Sequence, residues 1–294
     1  MRQEGTMKQL EISNVSKSFR KNEVLKNISF SVDTGTFGIL GNHGSGKTTL
    51  MNMISALTKP STGMIRFNDL DTVEDAIKVK ELVGYLPQDF SLYDELNAYE
   101  MLGYIGKLNR IGTRKGIEER IEHVLELTTL RGAAYRKIGA YSPGMRRRLG
   151  IATVLMKDPQ MIIVDEPTAG LDPLEQVRIR TLLTTIAEHK LILLSTHRVD
   201  DIAAVCEQFI FIKNKTIDFQ GTPAEWLSGI QNPVIETKVE GTHQLNILAR
   251  EFKVISMKQM QEGIHVRLIL GNRTPDFQYT IVEPDLEDAL LYYS

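Results

Sequence analysis

The sequence has few of the features of an exported, disulfide-bonded or membrane-spanning chain. Its 294 residues include one cysteine, Cys206, which cannot form an internal disulfide and fits a reducing compartment. The longest apolar runs, such as Met161–Val164 and Leu191–Leu194, are far shorter than the ~18 residues that a membrane-spanning helix needs. The polar stretch Met1–Thr6 lacks the apolar segment of a secretory signal. We therefore expect no disulfide framework and no transmembrane span.

An excess of either charge is also missing. The formal net charge is -2, so a primary role in binding nucleic acid is disfavoured. Hydrophobic residues make up 42% of the chain and charged residues 24%, as in an ordinary globular protein. The length predicts about two domains, one larger than the other.

One glycine-rich stretch stands between a short apolar run and a helical pattern. It reads Gly41, Asn42, His43, Gly44, Ser45, Gly46, Lys47 and Thr48, is followed by Thr49, and matches the pattern G-x-x-x-x-G-K-[ST]. In this context backbone N–H groups close around phosphate oxygens, and the helix N-terminus points its positive dipole at them. We predict that Lys47 reaches the β- and γ-phosphates of a nucleotide and that Thr48 places its hydroxyl on Mg²⁺. The alternative is a glycine-rich turn that merely joins strand to helix, and the flanking patterns argue against it.

Two buried strands are predicted to end in polar residues. The apolar run Gln160–Val164 predicts a parallel strand covered on both faces, and Asp165 and Glu166 follow it. Leu191–Ser195 predicts a second such strand, with His197 beyond its end. Because ligands bind at the carboxyl edge of open α/β sheets, these side chains are candidates for the site. Taken singly, Asp165 would equally suit a strand-end or capping role, and a lone histidine is more often structural.

Further elements flank this core. Leu10–Ile12 and Val24–Val32 predict strands, and Phe19 lies at the mouth of the turn between them. Phe19 would either stack on an adenine ring or pack in the core, and the residue alone leaves both open. Glu81–Leu86 predicts another strand, which Pro87 and Gln88 terminate.

From Asp89 to about Pro159 the pattern becomes helical. Ala98–Leu108 and Ile117–Leu127 predict two helices, and Ser142 as N-cap with Pro143 as the first helical residue opens a third. In that third helix the run 146–148, all arginine, predicts a solvated face.

The end of the chain predicts a small α+β accessory domain without a catalytic cluster. A linker at 228–233 separates domain 1–228 from domain 229–294. The strands expected beyond it are Val234–Val239, Phe252–Met257, Ile264–Leu270 and Tyr279–Val282, and the helices are Gln244–Glu251 and Pro284–Leu291.

Taken in order, these motifs resemble those of the ATP-binding subunit of an ATP-binding cassette (ABC) transporter. The resemblance covers roughly the first three-quarters of the chain. It implies an α/β P-loop NTPase core with a mixed N-terminal β-subdomain, a parallel sheet and a helical insert at about 89–159. It also implies ATPase activity, with ATP and Mg²⁺ as the ligands.

The resemblance assigns roles to the strand-end residues. The family residue matching Asp165 holds Mg²⁺ through water, and the one matching Glu166 polarises the attacking water. Two adjacent carboxylates suit this division because a cation neutralises one and leaves the other as a base. Gln88 matches the glutamine that senses Mg²⁺ and the attacking water, and His197 matches the switch histidine that contacts the γ-phosphate.

Two more motifs imply a composite site. Tyr141–Met145 resembles the family signature, usually Leu-Ser-Gly-Gly-Gln, in which Ser142 and Gly144 correspond to groups that grip the γ-phosphate of a partner cassette. The positions that depart from the signature are Tyr141, Pro143 and Met145. Asp172 matches the loop that communicates across the dimer, and before Pro173 it is also a good helix N-cap.

The resemblance further implies partners and a location. Two cassettes would enclose two ATP molecules and move separate transmembrane permease subunits, which would dock on 91–99 with exposed aromatics at Tyr93 and Tyr99. The protein would lie at the cytoplasmic face of a bacterial cell membrane, without a nucleic-acid partner. The closing residues Glu283–Asp288 resemble those of exporter subunits, so export is the expected direction.

Two other functions were weighed. An ABC ATPase acting on ribosomes or DNA usually carries two cassettes, a long coiled-coil insert or a basic face, and none is visible in the sequence. A phosphotransferase outside the ABC family would leave Ser142, Gln88 and His197 unexplained.

Overall fold

The computed structural model describes residues 10–260, 263–271 and 277–294, so the polar stretch at 1–6 lies outside the described residues. Contacts divide the chain into two units, Met1–Gln220 and Gly221–Ser294. None of the helices in the described ranges combines the length and apolar character needed to cross a membrane.

Strands and helices alternate along most of the described chain. The strands are β1 (Leu10–Phe19), β2 (Asn22–Val32), β3 (Thr36–Leu40), β4 (Thr62–Phe67), β5 (Leu70–Asp71), β6 (Val83–Leu86), β7 (Met161–Asp165), β8 (Leu191–Thr196), β9 (Gln208–Lys213), β10 (Thr216–Gly221), β11 (Val234–Val239), β12 (Lys253–Met260), β13 (Gly263–Ile269) and β14 (Thr280–Val282). The helices are α1 (Lys47–Ile54), α2 (Ala76–Leu82), α3 (Ala98–Leu108), α4 (Arg114–Leu127), α5 (Pro143–Leu155), α6 (Pro173–Ala187), α7 (Val199–Val205), α8 (Pro223–Ser228), α9 (Thr242–Glu251) and α10 (Leu286–Tyr293).

A six-stranded sheet in the order β10-β9-β3-β8-β7-β6 forms the centre of the first unit. Strands β6, β7, β8, β3 and β9 pair in parallel, and every residue of β7 and β8 is buried. The prediction of parallel strands covered on both faces is therefore confirmed. Leu40 pairs with Thr196, and Asp165 pairs with Ser195. The residues that follow these strand ends consequently emerge side by side at one edge.

A smaller antiparallel sheet, β2-β1-β4-β5, shares one apolar core with α1 and the central sheet. Ile12 and Ile65 of the small sheet, Leu50 of α1 and Ile163 of β7 all belong to this core and are almost fully buried. Phe19 lies outside it and is 51% exposed, with Lys17 Nζ 4.8 Å from the ring centroid. The core-packing alternative for Phe19 is therefore wrong.

The segment between β6 and β7 is helical, as predicted. Helix α3 has the predicted bounds because the Asn97 and Glu100 side chains form a reciprocal capping box at its start. Helix α4 begins at Arg114 rather than Ile117, since the Thr113 hydroxyl caps it by accepting from Gly116 N–H at 3.2 Å. Glu81 and Leu82, expected in a strand, instead complete helix α2, which leads directly into β6.

The second unit is a four-stranded antiparallel sheet, β12-β13-β11-β14, with its own small core. All four predicted strands and both predicted helices are present within a few residues of their expected bounds. The unit also includes α8, which the sequence prediction assigned to the end of the first domain at Ser228. Trp226 of α8 is fully buried and stacks on Tyr293 of α10, with ring centroids 5.5 Å apart. Because of this aromatic contact with α10, α8 belongs to the second unit.

We predict that Gly84→Leu destabilises the first unit. Gly84 lies on β6, where an added Cβ would be 2.3 Å from Val154 Cγ1 of α5 and 3.1 Å from Pro159 Cγ. Overpacking of this kind costs about 1–3 kcal/mol, which a lower urea midpoint would reveal. Gly132→Leu is the matched control, because nothing lies within 4 Å of its added Cβ. Equal midpoints for the two variants would contradict the close approach of α5 to β6.

Candidate active site

The glycine-rich loop joins β3 to α1 and lines a cavity of about 300 Å³. Gly44 and Gly46 have φ angles of 78° and 99°, in the left-handed region that favours glycine. At Gly46 a side chain would also lie 2.7 Å from Leu25 Cδ2. The residues around the cavity are Val24, His43, Gly44, Ser45, Gly46, Lys47, Thr48, Thr49, Gln88 and Glu166. The fold thus brings Gln88 and Glu166 to the loop.

Lys47 is buried and its ammonium group contacts three oxygen atoms. It donates to the carbonyl oxygens of Gly41 at 2.7 Å and Asn42 at 3.2 Å, and it lies 3.3 Å from Glu166 Oε1. The carbonyl contacts fold the side chain back over the start of its own loop. A positive charge is thereby held beside the N-terminus of α1, where the helix dipole also favours an anion.

The Asp165 carboxylate at the end of β7 is buried and bonded on both oxygens. The Thr48 hydroxyl donates to Oδ2 at 2.7 Å, and the Ser195 hydroxyl donates to Oδ1. Hydroxyl and carboxylate oxygens are the hard ligands that Mg²⁺ prefers. The oxygen donors of Thr48 and Asp165 therefore fit a magnesium ion.

Glu166 stands at the centre of the site and is 3% exposed. Its backbone has a φ of 48°, a left-handed conformation that costs a non-glycine residue of order 1–3 kcal/mol. The Glu166 N–H offsets part of this cost by donating to the Ser195 carbonyl at 3.1 Å and hydroxyl at 3.2 Å. The turn aims the carboxylate at two groups, since Oε1 faces Lys47 and Oε2 lies 2.7 Å from His197 Nδ1.

Two histidine rings meet beside this carboxylate. His43 of the loop and His197 after β8 have ring centroids 4.5 Å apart, with an angle of 41° between the ring planes. His43 is exposed, whereas His197 is partly buried. The sequence prediction placed both residues at the nucleotide site, but only the structure shows that they touch.

The electrostatics around the strand ends also depend on two residues that sequence reasoning missed. Burial, followed by the charge of Asp165, raises the pKa of the Tyr85 phenol well above its usual range. Burial lowers the pKa of the Arg147 guanidinium, and the carboxylates of Asp89, Asp165 and Glu166 oppose that shift. The Tyr85 phenol, whose pKa is raised, therefore stays protonated near neutral pH.

The arginine run at the start of α5 was predicted to be a solvated face, and for two of its members this is wrong. Arg147 is buried, donates to the Gln88 carbonyl at 3.3 Å and lies over the Phe90 ring. Arg148 is buried and pairs with the buried Glu175 at 2.9 Å. A sequence signal existed, because Arg148 is three residues after Met145 and four before Ala152, on the apolar stripe of the helix.

The N-termini of α5 and α6 are packed together through that pair. The Ser142 hydroxyl caps α5 by accepting from Met145 N–H at 3.3 Å, and the Asp172 carboxylate caps α6 by accepting from Glu175 N–H at 3.0 Å. At Gly144 a side chain would lie 2.2 Å from Glu175 Oε2, so it would displace the Glu175 side chain from its pair with Arg148. Ser142 caps α5 and Gly144 lies in its first turn, and neither is among the described residues that line the cavity. Phe19 and Asp172 do not line it either.

A buried network behind the site was also missed by sequence reasoning. Asp201, almost fully buried, accepts from the Thr168 hydroxyl at 2.7 Å and the Thr196 hydroxyl at 2.8 Å, and its other oxygen pairs with Arg180. It therefore ties the turn after Glu166 to the end of β8. Asp201 lies in the first turn of the short helix α7, where nothing in the neighbouring sequence distinguishes it from a solvent-exposed residue.

Comparison with known families gives a match that covers the glycine-rich loop and the end of β7, but not His197. The family model described as "ABC transporter" matches residues 25–169, from β2 through the turn that follows β7.

Two relatives show how far the similarity extends. YxlF of Bacillus subtilis, an uncharacterized ABC transporter ATP-binding protein, is 35% identical over 79% of this chain and 78% of its own. The Nod factor export ATP-binding protein I of Rhizobium meliloti is 34% identical over 96% of this chain and 87% of its own. The latter similarity extends through the second unit.

A solved structure agrees with the fold. CbiO1 of Clostridium perfringens, part of the ABC transporter complex cbiONQ, superposes with a TM-score of 0.71 and 27% sequence identity. The match covers 76% of this chain and 92% of that one.

We predict that Arg148→Met destabilises the first unit by on the order of 3 kcal/mol, because it leaves the Glu175 carboxylate buried with only the half-exposed Arg178 as a partner. The control is Arg114→Met, which removes an exposed pair with Glu118 and should cost less than about 1 kcal/mol. Urea unfolding of both variants measures the difference. If Arg148→Met unfolds at the wild-type midpoint, the buried pair does not hold α5 against α6.

Proposed function

This chain belongs to the ABC transporter family as one of its ATP-hydrolysing subunits, and we propose that it powers a multisubunit exporter by enclosing ATP between two cassettes. The observation that carries the proposal is the convergence of Lys47, Asp165, Glu166 and His197 around the glycine-rich loop. Lys47 comes from the start of α1, Asp165 and Glu166 from the end of β7, and His197 from the end of β8. Each has a charge or proton function that ATP hydrolysis requires.

Phosphate binding begins at the loop. The N-terminus of α1 and the Lys47 ammonium attract the phosphate oxygens of ATP. Those oxygens compete with Glu166 Oε1 for Lys47, which lies 3.3 Å from that carboxylate oxygen. Arrival of the γ-phosphate draws the ammonium away from Glu166 and frees Oε1 of that carboxylate for the attacking water.

Thr48 and Asp165 would hold Mg²⁺, with Gln88, which lines the cavity, as a third oxygen donor. When bound, the ion neutralises charge on the phosphate oxygens. The Ser195 hydroxyl donates to Asp165 and keeps that carboxylate oriented.

Glu166 then acts as the general base that takes a proton from the attacking water. Its carboxylate is buried, and His197 Nδ1 at 2.7 Å orients it through Oε2. When both ring nitrogens carry a proton, Nδ1–H donates to the carboxylate and Nε2–H donates to an oxygen of the γ-phosphate. His197 thereby couples the state of the phosphate to the position of the base.

Completion of the site requires a second cassette. Ser142 and Gly144 lie at the N-terminus of α5, away from the described lining of the cavity, so they are available to the nucleotide of a partner. Asp172 at the start of α6 is packed beside them through Glu175 and communicates across the same contact. Phe19, half exposed, stacks on the adenine ring.

Transmembrane subunits dock on the helical insert. Tyr93 is 59% exposed and meets Tyr104 edge to face, while Tyr99 stacks on Tyr135 at 5.5 Å. Exposed aromatic rings such as that of Tyr93 are typical of interfaces. Tyr99, predicted to be exposed, is partly buried. Export is supported by the similarity to the Nod factor export subunit, and the place of action is the cytoplasmic face of a bacterial cell membrane.

We predict that Glu166→Gln lowers ATP hydrolysis by roughly 10²–10⁴-fold, because the amide keeps the size of the side chain but cannot accept the proton. ATP binding, measured with a fluorescent analogue, should survive. Glu188→Gln, an exposed position on the same unit, is the control and should hydrolyse ATP at the wild-type rate. Wild-type turnover by Glu166→Gln would remove Glu166 from the role of base.

A second variant tests the composite site. In the Glu166→Gln background, ATP should produce a dimer on size-exclusion chromatography, and adding Ser142→Arg should abolish it because the large cation replaces the small N-cap. Binding of ATP to the monomer should persist. Adding Thr185→Arg instead, at an exposed position on α6, should leave the dimer intact. If the Ser142→Arg variant forms the dimer at the same protein concentration as its Glu166→Gln parent, α5 does not have the proposed role.

A further inference from the structure

The cluster of His43, Glu166 and His197 has the donor set of a transition-metal site. Each residue offers one ligand atom, and the three atoms all lie within 4.8 Å of one another. Within the described ranges, this is the group in which three such side chains come so close. Two imidazole nitrogens and one carboxylate oxygen are a known ligand combination for zinc, with water in a fourth position.

This donor set differs from that of the magnesium pair a few ångströms away. Thr48 and Asp165 offer oxygen alone, whereas His43 and His197 offer nitrogen, which suits Zn²⁺ rather than Mg²⁺. The distinction depends on His43, because without it the cluster would retain only one nitrogen. His43 lies at a loop position that the G-x-x-x-x-G-K-[ST] pattern leaves free.

We propose that His43, Glu166 and His197 bind Zn²⁺ and that the bound ion holds the ATPase inactive. The consequence for catalysis rests on the proposed roles of Glu166 and His197, since zinc would engage both groups that hydrolysis uses. The binding itself does not rest on those roles.

The geometry allows this with small side-chain movements. Zinc bonds of about 2.0–2.1 Å in a tetrahedral arrangement place neighbouring ligand atoms roughly 3.3 Å apart. His197 Nδ1 and Glu166 Oε2, at 2.7 Å, need to separate slightly, and His43 needs to turn inwards. His43 is exposed on its loop, so its ring is free to turn and gives the ion a path from solvent.

Charge also favours the site. Glu166 is buried, and Lys47 contacts Oε1 while His197 faces Oε2, so the ammonium and the ion engage different oxygens of one carboxylate. The buried Asp165 carboxylate adds a second negative charge nearby. The Lys47 ammonium is held in place by the Gly41 and Asn42 carbonyls, at 2.7 Å and 3.2 Å, and does not depend on Glu166 for a partner.

The test is Zn²⁺ binding by the nucleotide-free full chain, measured by competition with a chromophoric chelator. Wild type should bind one Zn²⁺ per chain at this site. His43→Asn should weaken binding by more than about 10-fold, the least that losing even an outer partner of a zinc ligand costs. His43→Cys should bind within 10-fold of wild type, because a thiolate also ligates zinc. His243→Asn, an exposed histidine of the second unit, should bind like wild type.

Two results would overturn the site. Equal affinities for wild type and His43→Asn would show that His43 is not a ligand. Binding by His43→Cys as weak as that of His43→Asn would trace the loss to the loop conformation and not to a missing ligand atom.

The inhibitory effect has its own readout. The ATPase rate is measured at saturating Mg-ATP over a series of buffered free Zn²⁺ concentrations. The Zn²⁺ concentration that halves the rate should be more than about 10-fold higher for His43→Asn than for wild type. An unchanged half-inhibition concentration, alongside altered Zn²⁺ binding, would overturn the regulatory half of the proposal. Absence of ATPase activity in wild type would contradict the proposed function and leave the nucleotide-free binding result decisive for the site.

Discussion

The buried contact between Lys47 and Glu166 is the interaction on which the arrangement of the site depends. A carboxylate that is 3% exposed is costly unless it is paired, and here one oxygen faces an ammonium and the other faces His197. The pair joins the helix after β3 to the turn after β7. Because the left-handed backbone at Glu166 is held by N–H bonds to Ser195, the end of β8 belongs to the same structure. Phosphate that binds to the loop therefore affects the residues that follow β3, β7 and β8 together.

A second buried ion pair holds two helices of the first unit together. Arg148 and Glu175 hold α5 against α6, and the Glu175 side chain lies so close to Gly144 that an added side chain there would displace it. Arg147, on the same turn of α5, donates to the Gln88 carbonyl, so the helix that starts at Ser142 is linked to the loop that borders the cavity. This link supplies a physical route between the nucleotide site and the surface proposed to meet a partner. The route passes through packed side chains that have few alternative positions, and elements of this kind transmit small displacements.

Much of the fold and of the site could be predicted from the sequence, and the physical reason differs from one feature to the next. The phosphate loop was recognisable because its glycines and Lys47 are contiguous, and a local backbone geometry needs local residues. Strands β7 and β8 were recognisable because burial on both faces requires an uninterrupted apolar run. Caps such as Ser142 and Asp172 were recognisable since each bonds a backbone group three residues away. In contrast, the strand expected at Glu81 was partly helix, because helix α2 runs into β6 without the turn that usually separates two elements.

The sequence by itself thus determined the elements, the loop and the identity of the groups that carry charge. Tertiary structure alone decided which of them are buried and which of them meet. Arg147 and Arg148 lie in a run that local pattern assigns to solvent, yet packing of α5 against α6 and the Gln88 loop buries them. Ser195 and Asp201 have no local motif, and their roles come from strands and turns far apart in the chain. His43 meets His197 for the same reason, since parallel pairing of β3 with β8 brings their carboxyl ends together. Contacts of this kind depend on sheet order, and sheet order is set by long-range packing.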